Sequence, residues 1–346
     1  MEQDKKWGYI DKTGRLIIPF KFDFAADFSE GIVAVEIKGK YGYIDKTGNF
    51  VIPPRFHWGR PFSEGLAVAV IRHLDQKGKI TFNKFGYIDR SGNMVIQPQD
   101  VESAKWLSNF SEGLACVMQN DKFGFIDKAG QQVIPPRYGD AHPFSEGLAA
   151  VMIEGKYGYI DRSAKMVISP QFEMVGPFSE GLAYIDSNGN HGYIDKSGKM
   201  VINGKEFVEA GGFSEGLAAA MGKNDKYGYI DKTGNFVIQP QFDRVGDFSE
   251  GLAPVVPVKV SGGVFKPGNL AYINQRGQLV IKSMSTIPDR PDWGERDLSY
   301  HGFCGGVARV GLGKNQGDPL YDAEGYINKE GKFIWPEVTP SKKELR

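Results

Sequence analysis

The chain has 346 residues, in which 42 Lys and Arg balance 42 Asp and Glu, and it contains two cysteines. The two signs of charge are interspersed, so the sequence gives no electrostatic footprint for a nucleic-acid partner. It contains no apolar run of the roughly 18 residues that a membrane span needs. Two cysteines exclude a disulfide framework, and we expect both to be buried free thiols.

From the N-terminus onward the sequence repeats itself. A Gly-Tyr-Ile-Asp core recurs, most often 34 residues apart, with its glycine at Gly8, Gly42, Gly86, Gly124, Gly158, Gly192 and Gly228. A Phe-Ser-Glu-Gly motif follows each core, beginning at Phe28, Phe62, Phe110, Phe144, Phe178, Phe213 and Phe248. Such a period indicates a continuous repeat array. We predict seven regular repeats over residues 5–256, and over residues 257–346 a degenerate eighth repeat plus a terminal half repeat that acts as a cap.

Each repeat predicts three short strands. In the second copy, Tyr43-Ile44 and Phe50-Val51-Ile52 flank Asp45-Lys46-Thr47-Gly48, whose aspartate and glycine favour a hairpin turn. Prolines 53 and 54 then end the second strand. Leu66–Val70, after the Phe-Ser-Glu-Gly motif, reads as the third strand.

One such repeat cannot stand alone, because about six buried apolar side chains at roughly 2 kcal/mol each do not offset about 1 to 2 kcal/mol of ordering entropy per residue. Neighbouring repeats must therefore share a core. We predict an all-β tandem array of three-stranded repeats, stacked as an open, elongated solenoid. A closed ring resembling a β-propeller is the alternative. The radius of gyration in solution distinguishes the two arrangements.

The motifs that resemble reactive sites have structural explanations in the repeat. Ser214 lies in a G-x-S-x-G pattern typical of nucleophilic serines, but the serines of the other copies lack the first glycine, so we interpret all of them as turn residues. The recurring acids lack the dense spacing of calcium-binding repeats and are predicted to cap turns. The histidines show no metal-ligand spacing. We therefore predict no catalytic residues, no metal and no cofactor.

The copies differ from one another mainly at insertions, which in repeat arrays form loops on one face. Aromatic side chains on such loops are typical of partner-binding surfaces. The insertions carry His73, Trp106, Phe265 and Trp293, and Trp58 lies in the connection after the second strand of its repeat. These five residues are the candidate partner-binding residues.

The segment from Lys6 to Asp11, followed by Ile17-Ile18-Pro19 and the motif at Phe28, resembles the WG repeat family, also called KWG repeats. The resemblance is close from about residue 6 to 256, although only the first copy has a literal Trp-Gly pair. It implies a bacterial β-rich repeat protein that acts in binding or assembly. It brings no catalytic residues to this chain.

From these features we expect a non-catalytic scaffold that binds a protein through one face of the array and its insertion loops. A module that binds glycans or the cell envelope is the first alternative, and an enzyme that uses insertion-loop residues is the second. The N-terminal residues lack an apolar signal region. We expect a cytoplasmic protein if the chain is complete, and an envelope or secreted one if a signal segment has been removed.

Overall fold

The computed structural model describes residues 2–3, 6–74, 80–99, 107–257, 270–281, 302–314 and 322–335. Within these ranges the regular structure is β-strand, apart from one 3-10 turn at Gly204–Glu206. The predicted all-β tandem array is therefore confirmed. The chain forms two compact units: the first comprises residues 1–9, 17–189 and 195–199, and the second comprises residues 10–16, 190–194 and 200–346.

The described strands form nine consecutive groups of three, which we call modules 1 to 9, with strands A, B and C in chain order. Strands A, B and C are Glu2–Gln3, Lys6–Ile10 and Leu16–Phe22 in module 1; Ile32–Ile37, Lys40–Asp45 and Phe50–Phe56 in module 2; and Ala67–Leu74, Ile80–Ile88 and Met94–Gln99 in module 3. They are Leu114–Gln119, Lys122–Asp127 and Gln132–Tyr138 in module 4; Leu148–Ile153, Lys156–Asp161 and Met166–Phe172 in module 5; and Leu182–Ser187, Asn190–Asp195 and Met200–Asn203 in module 6. They are Leu217–Gly222, Tyr227–Ile230 and Phe236–Val245 in module 7; Leu252–Pro257, Ala271–Asn274 and Leu279–Ile281 in module 8; and Val307–Lys314, Asp322–Asn328 and Phe333–Trp335 in module 9.

Four further strands, called linker strands here, pair with the A strands of modules 2, 3, 6 and 7. They are Phe24–Ala25, Trp58–Gly59, Met174–Val175 and Phe207–Ser214. In module 7 the C strand is long enough to pair with the A strand of module 8 as well, which joins the two modules in one sheet of seven strands.

The hairpin predicted between strands B and C is confirmed. In module 2, Tyr43 pairs with Ile52 and Ile44 with Phe50. Asp45 Oδ1 accepts hydrogen bonds from the backbone N–H groups of residues 47 and 49 at 2.9 and 3.0 Å. These bonds cap the turn, as predicted, and the hydrogen bond from the Thr47 hydroxyl is the main cause that holds the pKa of Asp45 below its usual value.

The strand after the Phe-Ser-Glu-Gly motif is grouped differently from the prediction. It pairs with the hairpin of the next sequence copy, as Leu148–Ile153 does with Lys156–Asp161. The two strands are joined by Glu154 and Gly155, whose φ angles of 50° and 77° fit the tight turn that two-residue hairpins favour. Each module therefore begins one strand earlier than the predicted repeat, and the hairpin at residues 322–335 completes a three-stranded sheet with Val307–Lys314.

Neighbouring modules share an aromatic core. The ring of Tyr43 in module 2 lies 4.9 Å from that of Phe62, in the motif that leads into module 3, and its hydroxyl donates to the carbonyl of Arg60 at 2.9 Å. The edge-on ring contact recurs in Tyr9–Phe28, Tyr87–Phe110, Phe125–Phe144, Tyr159–Phe178, Tyr229–Phe248 and Tyr272–Phe303. Each module therefore buries its aromatic side chains against the next, as the stacking argument requires.

The motif serine links one module to the next instead of bonding its own turn. Ser29 Oγ donates to the carbonyl oxygen of Phe62, in the following copy of the motif, at 2.6 Å. The same bond is made by Ser63, Ser111, Ser145, Ser214 and Ser249. The hydroxyl of Ser214 thus has the structural partner that its counterparts have, which supports our interpretation of the G-x-S-x-G pattern as coincidental.

The motif glutamate also reaches the next module. Glu146 has a φ of 52°, and its carboxylate accepts the backbone N–H of Gly181 at 2.9 Å and contacts Lys196 Nζ at 3.2 Å. Burial raises the pKa of Glu146, but Lys196 and the Gly181 N–H outweigh it and hold the pKa below its usual value. Glutamates 30, 64, 112, 215 and 250 accept the equivalent glycine N–H. The predicted turn cap therefore acts across two modules.

Replacing Glu146 by Ala is expected to lower the free energy of unfolding by about 1 to 2 kcal/mol, because the N–H of Gly181 loses its acceptor. Glu154→Ala is the matched control, since Glu154 also has a positive φ but stands in an exposed hairpin turn. Urea denaturation of both variants measures the difference. If the free energy of unfolding fell equally in the two variants, the hydrogen bond from Gly181 to Glu146 would contribute nothing beyond the effect of backbone conformation.

The B–C turn of each module packs on the C strand of a neighbour. A Cβ placed on Gly48 of module 2 would lie 3.0 Å from the side chain of Ile18 in module 1. The B–C turn of module 1 packs in the same way on strand C of module 9, since a Cβ on Gly14 would lie 1.7 Å from the carbonyl oxygen of Ile334. Both of these residues belong to the second compact unit.

The two cysteines differ in exposure. Cys116 is buried, as predicted, and burial raises the pKa of its thiol to about 12. Cys304 is exposed, contrary to the prediction. It occupies the serine position in Phe303-Cys304-Gly305-Gly306, the copy of the motif in which glycine also replaces the glutamate. This copy therefore has no serine or glutamate from which such a link to a following copy could start.

Candidate interaction surface

The structure describes two of the five predicted partner-binding residues. Trp58 begins the linker strand before module 3, where it pairs with Val70. His73 lies in the A strand of module 3, opposite Phe82. Trp106, Phe265 and Trp293 lie outside the described residues.

The three two-residue linker strands expose one side chain and bury the next, because successive residues of a strand point to opposite faces. Trp58 is 36% exposed while Gly59 behind it is buried. Phe24 and Met174 occupy the equivalent position and are 40% and 60% exposed, with Ala25 and Val175 buried behind them. The first compact unit therefore presents a large apolar side chain at the same place in three linker strands.

The exposed ring of Phe24 belongs to an aromatic strip that crosses modules 1 to 3. The strip consists of Trp7, Phe24 and Tyr41, whose rings are neighbours, and of Trp58, which we assign to it by its equivalent position in the repeat; all four lie within the first compact unit. The ring centroids of Trp7 and Phe24 are 6.4 Å apart, and those of Phe24 and Tyr41 are 5.9 Å apart. Trp58 has the same place relative to Tyr41 in the repeat as Phe24 has relative to Trp7.

Charged groups lie beside the aromatic strip. The Arg60 guanidinium is 5.4 Å from the Trp58 ring, within the range of a cation–π contact. Arg60 also donates to the carbonyl of Leu107 at 3.0 Å, which fixes its position over the ring. Lys6 pairs with Asp23 at the other end of the strip. The surface thus combines half-exposed rings with both signs of charge.

The pKa of Tyr41 reflects its place in the strip. Burial is the main cause that raises it to about 12, and the neighbouring Glu36 carboxylate adds to the effect. The hydroxyl is therefore neutral at physiological pH. It interacts with the Glu36 carboxylate through a hydrogen bond, which also favours the neutral form.

Trp58 was singled out from the sequence, whereas Phe24 and Met174 were not. Phe24 was recognisable as the residue that occupies the Trp58 position in another copy, but a two-residue strand gives too short a pattern to show which side chain is exposed. Among the described residues, no group of three or more His, Cys, Asp and Glu side chains is placed to hold a metal ion. Of the helical structure in the described ranges, none is long and apolar enough to span a membrane.

The fold and this surface define an all-β tandem-repeat protein with an exposed aromatic strip. The WG containing repeat model matches residues 7–41, 41–72, 85–123, 123–157, 157–190, 192–227 and 227–256. The chain belongs to the family of WG-containing repeat proteins, as its motifs predicted. No similar sequence was found among curated proteins.

Solved structures resemble the chain in fold at low sequence identity. A crystal structure of a eukaryotic initiation factor is 12% identical, with a TM-score of 0.59 over 94% of this chain and 92% of that one. Kluyveromyces lactis Hsv2 is 12% identical, with a TM-score of 0.40 over 60% and 72% of the two chains. AztD from Citrobacter koseri is 14% identical, with a TM-score of 0.37 over 64% and 72%. The first of these supports the fold alone.

Proposed function

We propose that the protein is a non-catalytic scaffold whose aromatic strip binds a protein partner. The observation that supports this most is the exposure of Phe24 and Trp58, which are held at equivalent positions in adjacent modules. Tryptophan and arginine are the residues that most often dominate protein interfaces. Trp58 and Arg60 supply both in one contact.

A non-catalytic role is supported by the partners of the recurring polar groups. The motif serines donate to carbonyls of the next module, as Ser145 does to Phe178 at 2.7 Å. The motif glutamates accept backbone N–H groups, and aspartates such as Asp161 cap hairpin turns. These hydrogen bonds stabilise the array, and we propose that none of the groups that make them acts on a substrate.

The tilt of the rings favours a protein over a glycan. The planes of Trp7 and Phe24 make an angle of 56°, and those of Phe24 and Tyr41 make an angle of 46°. Rings tilted in this way present edges as well as faces, and aromatic side chains of a protein partner pack against both. We therefore propose a protein partner with apolar side chains, and binding of a glycan becomes an outcome of the test.

Replacing Phe24 and Trp58 together by Ala is expected to abolish partner binding and to lower the free energy of unfolding by about 1 to 2 kcal/mol per residue, with the fold retained, because both side chains are partly exposed. The measurement is affinity purification from lysate with quantitative mass spectrometry, followed by calorimetric titration of the purified prey. Val208→Ala, at an exposed valine of the second compact unit, is the control. Prey proteins bound equally by both variants would contradict the proposal. Saturable polysaccharide binding that only the double variant loses would assign the strip to glycans.

A further inference from the structure

The charges beside the aromatic strip differ between its two ends. At the end formed by Trp7, the lysine that begins strand B, Lys6, pairs with the carboxylate of Asp23. The same pair, between a lysine at or just before the start of strand B and an acid 17 residues further along, recurs in Lys156–Glu173 and Lys226–Asp243. In each case the charge of the lysine is neutralised within the repeat.

At the other end of the strip the acid is replaced by a histidine. His57, the residue before Trp58, occupies the position that Asp23 has in the preceding copy. Lys40, which begins strand B of module 2, contacts His57 Nε2 through its Nζ. An imidazole ring is neutral or positively charged and never negative. The charge of Lys40 is therefore not cancelled by its partner, unlike that of Lys6.

The histidine keeps the other function of the acid. The backbone N–H of Arg72 donates to His57 Nδ1 at 3.0 Å. At the same positions of the repeat, the backbone N–H of Asn188 donates to the carboxylate of Glu173 at 3.1 Å. His57 thus replaces the carboxylate as a hydrogen-bond acceptor for the A strand but not as a counter-charge for the lysine.

A second cation, Arg60, lies over the ring of Trp58. Its guanidinium group donates to the carbonyl of Leu107, which holds it in place and leaves its other N–H groups available. In the part of the chain that the structure describes, no carboxylate forms an ion pair with Lys40 or Arg60. The carboxylate beside this end of the strip, Glu36, interacts instead with the Tyr41 hydroxyl.

Two cations without a counter-charge beside an exposed indole ring favour one kind of ligand group. A carboxylate forms charge-assisted hydrogen bonds with guanidinium and ammonium groups, and its geometry matches the two parallel N–H groups of arginine. The Trp58 ring provides an apolar face next to these donors. Complementary charges of this kind select among partners more than they add to total affinity.

We propose that the Trp58 end of the aromatic strip binds a carboxylate of the protein partner, from an aspartate or glutamate that adjoins an apolar side chain. The apolar side chain packs on the Trp58 ring, and the carboxylate accepts hydrogen bonds from Arg60 and Lys40. The end that carries the Lys6–Asp23 pair has no such charge preference. This inference rests on the proposed function of the strip and adds the chemistry of the partner.

The test is selection of peptides from a random library displayed on phage, with the full chain as the immobilised target. The enriched peptides are expected to carry Asp or Glu next to an aromatic or aliphatic residue. Calorimetric titration then measures the most enriched peptide against the variant with Lys40→Gln and Arg60→Gln, where binding should be about tenfold weaker. Lys156→Gln is the matched control, because Lys156 already has Glu173 as its counter-charge, and it should leave binding unchanged.

His57→Glu tests the charge without removing either cation. It restores the acid that other copies carry, so binding of the same peptide should weaken about threefold while the thermal unfolding midpoint does not fall. Equal binding of the acidic peptide and its Gln or Asn counterpart would overturn this inference.

The selection also separates the failure of this inference from that of the proposed function. Enriched peptides without an acidic preference, whose binding is still lost in the variant with Phe24→Ala and Trp58→Ala, would overturn the carboxylate site and leave the strip as a binding surface. Enrichment of basic peptides would overturn the carboxylate site as well. If no peptide depended on Phe24 and Trp58, both proposals would be contradicted.

Discussion

Raising the pH above 10 is expected to unfold the protein steeply, because buried tyrosines at the module interfaces resist ionisation in the folded state. Burial raises the pKa above the ordinary value of about 10 in Tyr43, Tyr87, Tyr159, Tyr229 and Tyr272. Their rings are at most 1% exposed. The folded chain thus keeps protons that the unfolded chain loses.

The direction of the effect follows from proton linkage. Below pH 10 both states hold the five protons, so these groups give no pH dependence. Above pH 10 the unfolded state binds fewer protons than the folded state, and the free energy of unfolding falls by about 1.4 kcal/mol per pH unit for each tyrosine. Five such residues give a slope of about 7 kcal/mol per pH unit, which exceeds the total stability of most domains within one to two units.

Urea denaturation at pH steps from 9 to 12 measures this slope, and absorbance at 295 nm reports ionised tyrosine. The phenolate absorbance of the buried tyrosines should appear over the same pH range as unfolding. Tyr43→Phe with Tyr229→Phe should make the slope shallower by about 3 kcal/mol per pH unit, since two linked protons are removed. A slope that the double variant leaves unchanged would show that other groups control alkaline unfolding.

Gly158→Ala is expected to destabilise the protein by about 3 kcal/mol, the upper part of the range for inserting an atom into a packed site. The register between strands B and C shifts on each side of Tyr159, which draws strand C close to Gly158. A Cβ there would lie 2.4 Å from the carbonyl oxygen of Ile168 and 2.7 Å from the nitrogen of Pro170. Both atoms belong to the backbone, so neither can rotate away from the added Cβ as a side-chain atom could.

Gly155→Ala is the matched control, in the turn before the same strand. Gly155 has a φ of 77° but no atom within 4 Å of a built Cβ, so its replacement adds conformational strain of about 1 to 2 kcal/mol and no clash. Urea denaturation of the two variants compares the costs. If Gly155→Ala proves the more damaging of the two, backbone conformation rather than close approach explains the glycine of the Gly-Tyr-Ile-Asp core.

The fold was predictable wherever the information is local. The turn at Asp45–Gly48 carries its own capping aspartate and glycine, so the hairpin could be recognised within one copy. The sequence of one copy could not show which hairpin the A strand pairs with. Turn residues lie on both sides of this strand, and only the observed pairing shows which of the two turns forms a hairpin. The conformation at Glu154 and Gly155 decides it.

The parts that were not predicted depend on distant partners. The carboxylate of Glu146 and the N–H of Gly181 are 35 residues apart, and nothing in either copy marks them as a pair. The aromatic strip was predicted only at Trp58, because exposure of Phe24 follows from a two-residue strand.

The serine and glutamate links have a consequence for how such chains change length. Every link joins one copy to the next: the serine donates to a carbonyl of the following copy, and the glutamate accepts an N–H from it. Inserting or removing one whole copy therefore restores a partner to each group. Loss of half a copy would instead leave a hydroxyl or a carboxylate without its counterpart. We therefore expect tandem duplication or deletion of a whole repeat to preserve these links, and segments 41–54 and 227–240 are nearly identical, as such a duplication would leave them.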